Sequence, residues 1–413
     1  MPDWLSIHAQ DTEIWQFHPA FTSPTRGANS LDPGARGDET STATLYLGAT
    51  SGGGLSIYAD PEIDQGFDLS DGKGIAAEPN GEGARLSAAD PYVRLQRLFA
   101  RYVIGLGGDA EPIDPGPNQF AEARQPDNLV ITFGKFSVVD VFDNNDFAHD
   151  PTSDFLNRSI IDAGAFDYAS DRWGYTYGAS AEWNESATAL RAGVFDLSRA
   201  PGSTALDRGL GAFEAVAELQ EHFNIGTQNG AVALLAFFNR GDMANYSDAT
   251  RLGLETDTIP DVALVRRYGD RGGFEFNGQQ AITGDIGVFA RGSIADGHKE
   301  AYETSDIDRS LSVGVSLDGT SWTRANDNVG LAFVVNGISK PARDYFAAGG
   351  LGVVVGDGSQ AKYGPERIVE GYYNIYIRYG VGLTFDNQFI GRPAYNATHG
   401  PLDVIGLRFH VAY

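Results

Sequence analysis

Catalysis needs a nucleophile, an acid–base pair or a metal set at a workable spacing, and this chain offers little of the kind. It contains no Cys, which removes thiolate zinc sites, Cys nucleophiles and a disulfide framework. Its seven His show no His-Glu-x-x-His spacing, and no Gly-x-Ser-x-Gly elbow presents a serine. His149-Asp150 reads as a hydrogen-bonding pair in a loop rather than an acid–base dyad. Gly52-Gly53-Gly54 lies between strand patterns and not ahead of a helix, so it is unsuited to cradling phosphate. Glu182 and Glu218 are the carboxylates that a secreted all-β polysaccharide-cleaving enzyme would use, and that reading is the alternative to carry forward. Asp140, Asp143, Asn145, Asp146 and Asp150 offer hard oxygen ligands that could hold calcium, although their spacing fits no EF-hand. No metal or other cofactor is expected.

Recognition without reaction is better supplied. A sugar presents hydroxyls that both donate and accept, together with apolar C–H faces that stack on aromatic rings. Positions that alternation turns inward, as the lining of a lumen, give that mixture: Tyr58, Asp60, Glu62, Glu182, Arg191, Glu218, Arg291, Glu370, Asn374, Arg378, Asp386, Gln388, Arg408 and His410. Arg is suited to paired acceptors because its donors form a planar fork. The plainer reading of any one of them is a charge ladder bracing neighbouring strands.

The elements that would position these side chains are strands. In the segment ending the chain, Ile405, Leu407, Phe409, Val411 and Tyr413 alternate with Gly406, Arg408, His410 and Ala412. Successive side chains of a strand point to opposite faces, so one face is apolar and the other polar or small. The pattern predicts sixteen strands, near 4–17, 41–49, 54–60, 92–105, 127–137, 174–183, 187–196, 212–223, 230–239, 271–280, 284–293, 308–318, 327–337, 366–378, 381–390 and 403–413. Long connections (18–40, 61–91, 138–173, 197–211, 240–270, 294–307, 338–365, 391–402) alternate with short ones, and only 106–126 breaks the rhythm. Short turns on one side and long loops on the other are the habit of outer-membrane barrels. Sixteen strands give a diameter of roughly 35 Å, too wide for side chains to fill.

The remaining composition agrees. Gly (52), Tyr (18) and Phe (24) are abundant, as short strands, tight turns and aromatic girdles require. Tyr175, Tyr177, Trp183, Tyr372, Tyr373, Tyr376, Tyr379 and Tyr413 are expected at strand ends or on outward faces, in interface girdles. The formal net charge of −25 argues against nucleic acid, whose phosphates need Lys and Arg. No apolar run reaches eighteen residues, so no membrane-spanning helix is expected. The segment before Trp4 lacks a basic stretch and an apolar core, and the sequence reads as a mature form with a starting Met.

One stretch carries more than a pattern. Gly134-Lys135-Phe136-Ser137-Val138-Val139-Asp140-Val141-Phe142-Asp143-Asn144-Asn145 runs on through His149-Asp150-Pro151, Phe155-Leu156-Asn157, Asp162-Ala163-Gly164-Ala165-Phe166-Asp167-Tyr168 and Arg172-Trp173-Gly174-Tyr175. With Phe17-His18-Pro19 at the start, Trp322-Thr323-Arg324 and Gly356-Asp357-Gly358 later, and Pro393-Ala394-Tyr395-Asn396 and Gly406-Leu407-Arg408-Phe409-His410 at the end, the chain resembles the carbohydrate-selective porin family of OprB type. Three positions depart from its pattern: Tyr413 stands for a terminal Phe, Asn387 for an aromatic, and Trp173 precedes Gly174 where Arg would.

The resemblance implies an all-β fold, a transmembrane antiparallel β-barrel of about sixteen strands forming one domain over 1–413. It implies a passive, sugar-selective channel in the outer membrane, and no enzyme. Segment 138–173, with an apolar side from Phe142, Phe147, Phe155, Ile160 and Ile161, is expected to fold inward and narrow the pore. Asp143, Asn145, His149, Asp150, Phe155 and Asn157 are its candidate constriction residues. Small sugars or oligosaccharides, outer-membrane lipid and lipopolysaccharide are the expected partners, and a homo-oligomer is compatible. A channel for another small acidic or neutral solute, and a barrel serving as an adhesin or enzyme scaffold, share the same strand pattern.

Overall fold

The structure, a computed structural model, describes residues 2–83, 86–303, 306–358 and 362–413. Sixteen long strands among them close into one antiparallel barrel. They are β1 (Leu5–His18), β2 (Arg36–Gly52), β3 (Leu55–Gly66), β4 (Ala88–Gly107), β7 (Asp127–Phe136), β8 (Thr176–Glu185), β9 (Thr188–Asp196), β10 (Phe213–Ile225), β11 (Gln228–Met243), β12 (Arg267–Thr283), β13 (Ile286–Ala295), β14 (Arg309–Gly319), β15 (Arg324–Gly337), β16 (Glu366–Arg378), β17 (Val381–Gly391) and β18 (Leu402–Ala412). The short strands β5 (Glu111–Ile113) and β6 (Glu122–Arg124) form a separate hairpin. Closure joins β1 to β18, with Gln10 opposite Ala412 and Phe17 opposite Ile405. No sheet edge is left open, which backbone in hydrocarbon demands.

Several strands run past the ends that alternation marks. β2 begins at Arg36, β3 continues to Gly66 and β4 starts at Ala88. These extensions are polar or carry Pro, so they lack the apolar face by which a strand is recognised. Pro61 has no N–H to give a ladder. The register slips beside it, from Asp60 opposite Arg97 to Pro61 opposite Leu95.

The faces are inverted relative to a water-soluble protein. Outward residues such as Leu234, Phe274 and Phe133 are 61–68% exposed, while the inward side is polar and buried. The aromatic residues divide between the two. Trp183, Tyr379 and Tyr413 are exposed. Tyr372, expected outside, is buried in the lumen against Phe155 at 4.9 Å, and Tyr175 faces a lumen cavity. Tyr372 lies two residues from Glu370 in β16 and so shares its inward face, where the loop inside the barrel covers the ring.

The core therefore lies inside the barrel, between wall and loops. Phe142 meets Phe195 at 6.1 Å, Phe155 meets Phe289 at 5.7 Å and Phe166 meets Phe237 at 5.3 Å. Wall glycines make room for this packing. A Cβ on Gly287 would lie 2.0 Å from the Phe147 ring, and one on Gly330 would lie 2.2 Å from Tyr372 and 2.7 Å from Phe155.

The outward face gives a direct test. Leu234→Arg on an ordinary aqueous surface would be close to neutral. In a bilayer it should cost about 2–4 kcal/mol if Leu234 sits near the midplane, read as a lowered urea midpoint for the barrel in lipid vesicles. An unchanged midpoint would mean that this face does not meet lipid.

Candidate functional site

A loop inside a barrel leaves the ladder behind, and its backbone N–H and C=O groups still need partners. Here the wall supplies them. Glu370 accepts from the N–H groups of Leu156 and Asn157, the latter at 3.0 Å. Glu218 accepts from Asp143 N at 2.9 Å, and Ser293 from Ala165 N at 3.0 Å. Arg291 donates to the Asp143 carboxylate at 2.8 Å and to the carbonyls of Ile160 at 2.7 Å and Asp143 at 3.0 Å. Arg408 donates to the carbonyls of Pro151 and Asp154 at 2.7 and 2.9 Å. These bonds fix the segment between β7 and β8, with its short helix α1 (Arg158–Ile161) capped by Asn157.

The connection after β3, described over 67–83, lies inside as well, although only 138–173 is expected from the sequence to fold inward. Glu366 accepts from Ala76 N and Ala77 N at 3.0 and 3.1 Å. Gln16 and Gln388 both donate to Pro79 O, at 2.8 and 2.7 Å. Gln388 also accepts from Asn157 Nδ2 at 3.0 Å, joining the two loops. Acidic and Gly-rich, this connection carries no apolar run to mark it as inward.

The expected polar lining thus divides. Arg291, Glu370, Gln388 and Arg408 are buried beneath the loops and hold loop backbone instead of facing open water, which corrects their reading as pore lining; Asp386, also buried, accepts from the Gln388 side chain at 3.2 Å. Glu182 and Glu218 both bind the Arg191 guanidinium, at 3.1 and 2.5 Å. With Glu218 also on a loop amide, the two carboxylates converge on one guanidinium and do not flank a cleft as the enzyme reading requires. Asn374 is half-buried on the inner wall. Arg378 is exposed at the last position of β16, 5.6 Å over Tyr379 in the turn that follows, away from the cavities. His410 pairs with Thr12 at 2.9 Å.

Loop residues separate in the same way. Asn145 donates to Asn277 at 2.8 Å, and Phe155 and Asn157 are fully buried. His149 and Asp150 line a lumen cavity of about 400 Å³. They form no dyad: Asp150 accepts from Thr152 N at 2.8 Å, and the His149 ring lies 3.9 Å from Asp162. The five oxygen donors considered for calcium diverge. Asp140 turns to Arg97, Asp143 to Arg291, Asn145 to Asn277, Asp146 to Gln279 and Asp150 to Thr152. Among the described residues no three His, Asp or Glu side chains converge as a metal site would need.

What remains open runs along β1–β4 and β7. A cavity of about 400 Å³ is lined by Gln10, Tyr46, Glu62, Arg97 and the two loops, including Glu78, Glu82, Asp140, Asp162, Tyr168, Arg172, Trp173 and Tyr175. A second, of about 360 Å³, continues past Phe99, Arg101, Asn118 and Thr132. Tyr46, Arg97, Pro117, Asp140 and His149 border both.

Three arginines of β4 stand beside these cavities, Arg97 bordering both and Arg101 the second, with Arg94 behind Trp173. Arg94 lies 3.3 Å over the Trp173 ring and 3.1 Å from Asp171. Arg97 grips Asp140 through two bonds of 2.8 and 2.6 Å and lies 4.9 Å over Tyr175. Arg101 lies 5.4 Å over Tyr58. Burial pushes the Asp140 carboxyl up, but Arg97 and the Ser137 N–H outweigh it and hold it below the usual range. Of the expected residues, Tyr58, Asp60 and Glu62 stand opposite this strand: Tyr58 stacks on Phe99 at 5.0 Å, Asp60 lies 3.8 Å from Arg97, and Glu62 accepts from Thr44 at 2.5 Å and Gln96 at 3.0 Å.

Sequence reasoning missed the arginine row. The bulge opposite Pro61 sends Gln96 and Arg97 inward together, so strict alternation fails at the most informative residue. The available signal was cost: an Arg in a barrel strand is expensive toward lipid.

Comparison with known proteins bears on this geometry. A sequence profile described as "Carbohydrate-selective porin, OprB family" matches residues 28–413. The high-pH structure of Pseudomonas putida OprB superimposes with a TM-score of 0.74 at 12% identity, over 100% of this chain and 94% of that one. The outer membrane channel DcaP of Acinetobacter baumannii does so with a TM-score of 0.53 at 8% identity, over 99% and 97%. At such identities the likeness is one of fold. No curated protein matches the chain.

The anchoring bonds predict a change in pore behaviour. Glu370→Ala strands two buried N–H groups, at a cost of about 1–3 kcal/mol each. The barrel should still assemble, while the loop loosens and single-channel current becomes larger and noisier. Quiet current at the original level would show that the loop is held by other means.

Proposed function

This chain belongs to the OprB family of carbohydrate-selective porins, and we propose that small sugars cross it along the β4 wall, between the Arg94–Arg97–Arg101 row and the aromatic and acidic side chains of the two inserted loops. It is an outer-membrane channel for small carbohydrates. The observation that carries the finer reading is the passage itself, where Arg97, Glu62 and Glu82 offer hydrogen-bonding groups within reach of Tyr46, Trp173 and Tyr175. A hydroxyl-rich solute loses water on entering and recovers hydrogen bonds from these groups, while its C–H faces meet the rings. The loop 138–173 narrows the path by filling the opposite half of the lumen. The outward apolar band meets lipid and, at the outer rim, lipopolysaccharide.

The lining is acidic on balance. Glu62, Glu78, Glu82, Asp140, Asp150 and Asp162 border the larger cavity against Arg97, Arg158 and Arg172. Neutral sugars should therefore pass ahead of acidic ones, and potassium ahead of chloride.

Titrating saccharides against single-channel current in a planar bilayer tests the pathway. Saturable block is expected, weakened several-fold by Trp173→Ala, which removes an aromatic face worth about 1 kcal/mol. Conductance without block by any saccharide would defeat the pathway as drawn.

Selectivity should also follow pH. Burial and the nearby Glu62 carboxylate push half-buried Glu82 up to about 7. A raised carboxyl is neutral below that value and charged above it. Cation preference, measured as a reversal potential, should rise from pH 6 to pH 8, and Glu82→Gln should flatten the rise.

A further inference from the structure

The connection 108–126 lies at the end of the barrel where the other described connections are tight turns, such as 53–54, 186–187, 226–227 and 284–285. Long loops mark the outside of such barrels and short turns the periplasmic side, so this segment enters from the periplasm. It is ordered by its own pairing. Glu111 faces Arg124 and Ile113 faces Glu122, and Gly116 and Gln119 exchange two backbone bonds of 3.1 and 3.0 Å. The two residues between them make the tip, with Pro117 restricting φ and Asn118 at φ +53°.

The tip is bound to the inner wall. Asn118 Nδ2 donates to Asp60 Oδ2 at 2.7 Å, and Arg101 donates to Asn118 O at 2.8 Å. Phe120 is buried, 5.9 Å from the Tyr58 ring. Gly48 on the facing strand leaves the ring its place, since a Cβ there would come within 3.1 Å of it. Asp60 stands 3.8 Å from Arg97, so the tip reaches the level where the two cavities meet, and Pro117 borders both of them.

We propose that this periplasmic hairpin is a specificity-determining element: its tip, Pro117–Gln119, forms one wall of the narrowest part of the path and sets the largest saccharide that passes. The two loops entering from outside narrow the path from the other side and the hairpin completes it. This rests on the reading of the passage as the sugar pathway. The wall offers the hairpin side chains to hold it and a glycine to accommodate its ring, which a segment merely exposed to the periplasm would not need.

The test replaces 111–124 with a two-residue Gly-Ser turn and compares this variant with the parent in two assays. Salt conductance reads pore width without reference to sugar, and swelling of vesicles in mono-, di- and trisaccharides reads the size limit. Shortening is expected to raise conductance about twofold or more and to admit larger saccharides. The double variant Asn118→Ala, Phe120→Ala keeps the chain length, frees the tip and should move both readouts in the same direction; it decides the matter if the shortened barrel fails to show heat-modifiable migration. Unchanged conductance and size limit in a folded variant overturn the proposal. Raised conductance in the shortened variant, beside a parent channel that no sugar blocks or crosses, would instead sink the sugar pathway while leaving the hairpin as a constriction.

Discussion

Backbone inside a closed barrel must be hydrogen-bonded although no strand is free to pair with it, and the rest of the structure depends on how that need is met. The inner wall carries carboxylates aimed at runs of loop N–H groups and guanidinium groups aimed at loop carbonyls. Glu366 and Glu370 each receive successive amides of a different loop, and Arg291 and Arg408 receive the carbonyls. An ionised acceptor on a backbone amide makes a stronger bond than a neutral one, and losing it leaves a buried donor unsatisfied. Much of the polar inner face is therefore structural.

The apolar packing of the loop between β7 and β8 lies against β9, β11 and β13, where Phe142, Phe166 and Phe155 meet wall rings. The open path follows β4, whose arginines are held flat by rings and carboxylates: Arg94 by Trp173 and Asp171, Arg97 by Asp140 and Tyr175. A guanidinium fixed in this way has less freedom to lose when a solute binds. Trp173 is part of this arrangement, lying under the Arg94 guanidinium and lining the larger of the two lumen cavities.

The local irregularities serve the same arrangement. The bulge beside Pro61 turns Arg97 inward, and the glycines at 287 and 330 admit Phe147, Phe155 and Tyr372. Each breaks the regular strand where a loop or a charge must approach closely.

The sequence by itself determined the barrel. Period-two alternation and the rhythm of long and short connections mark sixteen strands and their inward faces, because side-chain direction in a strand is a local property fixed by the backbone. That Arg291, Glu370 and Arg408 point inward was legible for this reason. What they touch was not, because it depends on loops distant in the chain: Glu370 meets Leu156, and Arg408 meets Pro151. The inward fold of 67–83, the use of 108–126 as a lumenal hairpin and the turning of Arg97 toward Asp140 were likewise decided only by tertiary structure. Each is a contact between segments far apart in sequence, and no local pattern encodes which distant partner will satisfy a buried charge.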